Sequence, residues 1–203
     1  MAAPIKITEQ ALLEAALRLV RERGMEALNA RALAAALGCS TQPIFRLYPT
    51  MEALRRAVLE AALAVYHRHR ADRAAASQDP PYKTAGLAYI SFAREEPALF
   101  RLLFMRSRGG ETDSPEAVDW SPDTTLAGSV TGLAGPEAEL FHLEMWALVH
   151  GVAVMAATGY LALDEATVSR MLTDVYQGIK QQRASAIQRR TGCASFEYKE
   201  AEQ

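Results

Sequence analysis

Apolar residues recur at helical spacing from the start of the chain. Ala11, Leu12, Ala15, Ala16, Leu19 and Val20 form one stripe behind Thr8, a hydroxyl residue suited to cap a helix start, and Gly24 closes the segment. Asn29 offers a second cap before a short helix from Ala30 to Leu37 that ends at Gly38. Ser40 or Thr41 opens a third helix, Gln42 to Leu47, with Pro43 in its first turn, where a missing N–H does no harm, and Pro49 closes it. Thr50 starts a longer helix from Met51 to about Arg73. The stretch ASQDPPY, Ala76 to Tyr82, is the clearest punctuation in the chain. Beyond it, Lys83 to Arg94 and Pro97 to Arg106 read as two further helices. Ser107 to Pro122 reads as a loop rich in glycine, serine and acids that holds Trp120, and a short helix follows to about Thr131. Gly135 and Pro136 introduce a long apolar helix to about Leu161. Asp164 caps a last one reaching about Arg190, with a frayed tail expected beyond Thr191. No sustained alternation of β-branched residues interrupts this pattern, so the predicted fold class is all-α.

The helical pattern in 203 residues, half of them hydrophobic, provides a substantial core and excludes wholesale disorder. The net charge of −2 points to no polyanionic partner, but its distribution does. Residues 1–70 carry ten basic side chains against six glutamates, a balance of +4, and the rest of the chain is −6. A basic first third on an acidic remainder suits a protein whose first part meets a polyanion. Cys39 and Cys193 are the only cysteines, in no metal-like spacing, so neither a disulfide framework nor a zinc site is indicated. The opening residues contain no apolar stretch of signal-peptide length, and the apolar run of residues 145–163 is broken by His150, Gly151 and Gly159. No membrane partner and a cytoplasmic location are expected.

Two short helices joined by a tight turn at Gly38 match a helix-turn-helix, in which the second helix lies in the DNA major groove. Ala34 is small enough for the helices to cross closely, while Leu33, Leu37, Ile44 and Tyr48 fill the wedge between them. The N-terminal end of the third helix then offers backbone N–H groups to phosphate, with Thr41, Gln42, Pro43 and Arg46 on the outer surface. Gln42 can pair with adenine, Arg46 with guanine or a phosphate, and Pro43 can contact a thymine methyl. A helical hairpin inside a core would show the same turn.

Several elements in order make the case more specific. ITEQALLEAALRLVRERG, then RALAAALG, then CSTQPIFRLY and the EAL of Glu52 to Leu54 resemble the DNA-binding domain of the TetR family of transcriptional regulators. The resemblance implies a DNA-binding domain over residues 1–50, with Arg31, Ser40, Thr41, Gln42, Pro43, Phe45, Arg46 and Tyr48 as its contact set, and an effector-binding and dimerisation domain over 51–203. It further implies a homodimer, a palindromic operator, repression, and release by a small-molecule effector, with no cofactor and no catalytic or metal site. Phe45 stands where the family often has a phosphate-contacting tyrosine, Leu47 where it often has a polar or aromatic contact, and Met51 where a lysine commonly meets the backbone. Arg46, Arg55 and Arg56 can compensate.

WALVHG, Trp146 to Gly151, together with ALFRLLF, Ala98 to Phe104, resembles a TetR subgroup named for a Trp, a His and a Gly. Trp146 and His150 are four apart and share a helix face. The candidate effector pocket is therefore largely apolar, drawn from Tyr89, Phe92, Phe100, Phe104, Phe141, Met145, Trp146 and His150, with Trp120 in a lid. Two other readings compete: a dimeric interaction module that has lost DNA binding, and a helical enzyme. Against the enzyme, the sequence has no paired Glu-x-x-His motif, nucleophile elbow or phosphate loop, and His67 and His69, two apart, make a poor metal pair.

Overall fold

The computed structural model describes residues 7–105 and 121–200, with side chains over 7–105, 125–183 and 185. Helix α1 (Glu9–Arg23) starts where Thr8 Oγ1 accepts the Ala11 N–H at 3.2 Å, and it ends at Gly24, whose φ of 81° an L side chain rarely adopts. A 3₁₀ turn, Met25–Ala27, leads into α2 (Ala30–Leu37), where Asn29 Oδ1 accepts from the backbone of Arg31 and Ala32. Then follow α3 (Gln42–Leu47), α4 (Met51–Ala76), α5 (Pro81–Glu95), α6 (Pro97–Phe104), α7 (Ser121–Thr131), α8 (Pro136–Thr158) and α9 (Glu165–Glu200). Among the described residues there is no strand.

The elements follow the expected order but differ at several ends: α5 starts at Pro81 rather than Lys83, α6 stops at Phe104 rather than Arg106, and α8 stops at Thr158 rather than about Leu161. The 3₁₀ turn is additional, α4 continues past Arg73 to Ala76, and α9 runs ten residues beyond Arg190. Alanines fill the extension of α4, whereas that of α9, Thr191 to Glu200, is poor in strong helix formers and its propensity does not announce it; a sequence marks such ends poorly where no proline or left-handed glycine stops the turn. Most of the expected loop, including Trp120, lies outside the described residues, while its last two residues, Ser121 and Pro122, open α7.

The described residues form two compact units: 7–77, 88–105 and 152–162 in one, and 78–87, 121–151 and 163–200 in the other. In the first, α1 packs on α2, α4 and α6, and α4 packs on α6. Leu12, Leu28, Leu33, Ile44, Leu54 and Val58 fill its helix-turn-helix end. Further along, Tyr66 of α4 meets Phe92 and Phe104 edge-on at 5.1 and 5.0 Å between ring centroids, and Tyr89 lies 5.2 Å from Phe100 and 4.9 Å from Phe104. These separations suit the attraction of a positive ring edge for a negative ring face. Polar ties surround the cluster. Arg21 of α1 holds both oxygens of Glu96 at 2.8 Å, at the single residue between α5 and α6, and Arg101 donates to the Ala157 carbonyl at 2.6 Å.

The second unit is built around Phe141 of α8, fully buried between Tyr82 and Tyr176. Tyr176 donates to the Val130 carbonyl at 3.0 Å, and Arg183 of α9 bridges Glu137 and Glu144 of α8. Gly86 is required by close approach, since a Cβ there would stand 3.3 Å from Val149 Cγ2. Asp164 caps α9 by accepting the Thr167 N–H at 2.7 Å, and that bond holds its carboxyl below the usual value. By length and composition α8 could cross a bilayer, with a mean hydropathy of 1.5 over its most apolar window. It nevertheless buries Phe141, His142, Met145 and Val149 in the protein, as the core helix of a folded domain does.

Candidate nucleic-acid interface and effector recess

The turn between α2 and α3 is set by Gly38, whose φ of 64° is left-handed, and its N–H and that of Cys39 satisfy the carbonyls of Ala35 and Ala34. The chain then enters α3, where Pro43 occupies a first-turn position that needs no donor. Two residues anchor this stretch. Ile44 is fully buried, and Tyr48 at the C-cap is 8% exposed with its hydroxyl donating to Glu9 Oε1 at 2.7 Å. Gln42, Phe45 and Arg46, spaced i, i+3 and i+4, share the opposite face and are exposed. Phe45 is 42% exposed, an uncommon position for so large an apolar ring.

Burial, followed by the Glu9 contact, pushes the Tyr48 phenol up to about 12. An unfolded phenol ionises near pH 10, so the folded protein resists a deprotonation that the unfolded chain undergoes. The stabilisation is complete below pH 10 and is lost as the pH rises toward 12. Tyr48→Phe is therefore expected to lower the urea midpoint at pH 8 and to flatten its fall between pH 10 and 12. An unchanged alkaline profile would mean that the phenol does not carry this term.

Of the residues expected to meet DNA, Arg31, Ser40, Gln42, Phe45 and Arg46 are exposed, and Thr41 and Pro43 are half-buried. Tyr48 stands apart, turned inward to Glu9, and acts on this surface by holding α3 in place. The guanidinium groups of Arg31, Arg46, Arg55 and Arg56 are engaged in no ion pair among the described residues, whereas Arg21 and Arg183 are each paired with carboxylates. The first four retain their charge for an outside anion.

The residues expected to line an effector pocket fall in different places. Tyr89, Phe92, Phe100 and Phe104 belong to the aromatic cluster of the first unit, and Phe141, Met145, Trp146 and His150 to the second. Trp146 and His150 do share a face, their rings stacked at 4.7 Å and 16°. Burial pushes the His150 imidazole below its ordinary value, so it is uncharged at neutral pH. Within the second unit a recess of about 920 Å³ opens between α7, the α7–α8 connection and the first half of α8. Trp146 lines it, joined by Gly128, Leu133, Glu139, His142 and Leu143. Of these only Trp146 was expected. Glu139, His142 and Trp146 follow helical spacing in an otherwise apolar segment, the signal by which sequence could have found them.

Comparison with known proteins divides the chain by sequence rather than by compact unit. Residues 12–58 match the pattern of bacterial regulatory proteins of the tetR family, and residues 82–176 that of the tetracyclin repressor-like C-terminal domain. The chain belongs to the TetR family. As a TetR-family chain it is a transcriptional regulator and not an enzyme. It is 26% identical over 197 residues to an uncharacterized HTH-type transcriptional regulator of Mycobacterium tuberculosis, covering 94% of this chain and 86% of that one. Its fold is similar to that of a TetR-like regulator from Rhodococcus sp. RHA1, with a TM-score of 0.62 and 17% identity over 87% of this chain and 96% of that one. A TetR variant from Acinetobacter baumannii AYE, solved in complex with minocycline, gives 0.52 and 18% over 87% and 98%. The family patterns support a helix-turn-helix over the N-terminal match and a ligand-binding role for the C-terminal one.

Proposed function

We propose that this TetR-family regulator is a repressor that binds a palindromic operator as a homodimer in the cytoplasm and leaves it on binding a small-molecule effector. The observation that carries the reading is the division of α3: Ile44 and Tyr48 are held inside while Gln42, Phe45 and Arg46 face out, which is how a recognition helix is presented to base edges. Residues 1–50 supply the DNA contacts, through Arg31, Ser40, Thr41, Gln42, Pro43, Phe45 and Arg46. Residues 51–203 supply effector binding and dimerisation, although 51–77 are built into the same compact unit as α1 to α3. Homodimerisation is supported by α8, where Leu140, Leu143, Ala147 and Gly151 form an exposed apolar stripe, with Leu140 46% and Leu143 56% exposed. The exposed side of α9, with Arg170, Asp174, Gln177 and Gln181, is polar. The response to a small molecule is supported by the recess in the second unit and by the minocycline complex of a protein with the same fold.

The test is selection of bound DNA from a random pool, followed by affinity against ionic strength on the winning sequence. A palindrome bound with a steep salt slope is expected, because each neutralised phosphate releases counterions. On that operator Arg46→Ala lowers affinity by about 1–3 kcal/mol and relaxes preference at one position of each half-site if it reads a base. A shallower salt slope with preference intact would assign Arg46 to phosphate. No enrichment would overturn the DNA-binding reading in favour of an interaction module, for which the missing hydroxyl of Phe45 is the motive.

A further inference from the structure

We propose that the recess between α7 and α8 takes a hydrophobic organic cation, its apolar body against Trp146 and its charge toward Glu139. This identifies the class of effector and so rests on the ligand-responsive reading above. The walls are mainly apolar, supplied by Leu133, Ala138 and Leu143 around the indole of Trp146. Among the described lining residues Glu139 is the one carboxylate and no lysine or arginine joins it, while His142, one turn along the same helix, holds the Tyr82 hydroxyl at its Nδ1 at 3.0 Å.

The charges nearby are arranged so that this carboxylate keeps its negative potential. Arg183, which reaches the first half of α8, is paired with Glu137 and Glu144, and Lys180 donates to the Val130 carbonyl. Glu139 itself is exposed and makes no ion pair among the described residues. His150, stacked on Trp146, adds no positive charge at neutral pH. An indole face attracts cations through its quadrupole, and a carboxylate at the rim adds a Coulombic term that an anion would meet as repulsion. Shape alone would accept apolar ligands of any charge, so the charge distribution selects among them.

The decisive comparison uses tetraphenylphosphonium and tetraphenylborate, two ions of the same shape and opposite charge, titrated calorimetrically into the full chain. The phosphonium is expected to bind at one site per chain and the borate not at all. Glu139→Gln weakens the cation by about three- to fivefold, as loss of a solvent-exposed charge pair does, and Glu139→Lys weakens it further. Glu22→Gln, a surface carboxylate of the first unit, leaves it unchanged. Equal binding of both ions, or indifference to Glu139→Gln, overturns the proposal in favour of unselective apolar adsorption. Absence of phosphonium binding also overturns it. Binding that responds to Glu139 but does not release operator DNA would leave the cation site standing and remove the effector reading instead.

Discussion

Phe92→Ala is expected to lower the stability of the first unit by about 3–5 kcal/mol, the range for removing a large ring from a core that cannot close over the gap. Phe92 is fully buried, with the ring of Tyr66 at 5.1 Å and 62° and the imidazole of His69 at 5.5 Å. The neighbours have little freedom to follow. Tyr66 is also packed on Tyr89 and Phe104, and His69 is held by Ser91 Oγ at 2.7 Å from its Nε2. The loss includes edge-to-face contacts as well as burial, so Phe92→Leu, which keeps most of the volume, should recover about half of it. Urea denaturation followed by far-ultraviolet circular dichroism measures both. A change below about 1 kcal/mol for the alanine variant would show that the cluster collapses into the space, contrary to the packing described.

Ile44→Ala comes next, at about 2–5 kcal/mol, and its effect on DNA affinity is larger than its position suggests. Ile44 faces away from the exposed surface of α3 and would touch no DNA. Six residues cannot hold a helix by backbone hydrogen bonding alone, because nucleation is costly and few bonds follow it. The orientation of α3 therefore comes from its anchors, of which Ile44 is the wholly apolar and fully buried one beside Tyr48. Removing it loosens Gln42, Phe45 and Arg46 together. Operator affinity should fall more than about tenfold, whereas Gln42→Ala should leave stability within about 0.5 kcal/mol. Ile44→Val, at about 0.5–1.5 kcal/mol, provides the graded case. Full operator affinity in Ile44→Ala would mean that α3 is positioned by something other than its buried side.

The N-terminal elements were legible because their ends are written in residues with one strong local preference. Thr8, Asn29 and Thr50 cap with their side chains, Gly24 and Gly38 adopt positive φ, and Pro43 sits in a first turn. Their boundaries follow from neighbours in sequence, and so does the outward set on α3, which is a matter of helical spacing. The 3₁₀ turn at Met25–Ala27 and the ends of α4 and α9 carry no such marks. The ligand side was less legible for a different reason. Aromatic residues were grouped by type, but Tyr89, Phe92, Phe100 and Phe104 are committed to one core and Phe141 to another, a partition set by tertiary packing. Helix α8 is apolar around most of its circumference, so periodicity does not say which of its residues face the recess.

On the proposed DNA-binding reading, the two-sided build of α3 also makes the protein's address on the genome rewritable. The side chains that hold the helix and those that face outward are different residues, so the second set can be exchanged while the first keeps the scaffold intact. The exposed positions of α3 are Gln42, Phe45 and Arg46, and none of them contributes to the core. A lineage carrying this fold can drift to new operators through surface changes of small thermodynamic consequence, and an engineer can retarget it along the same route.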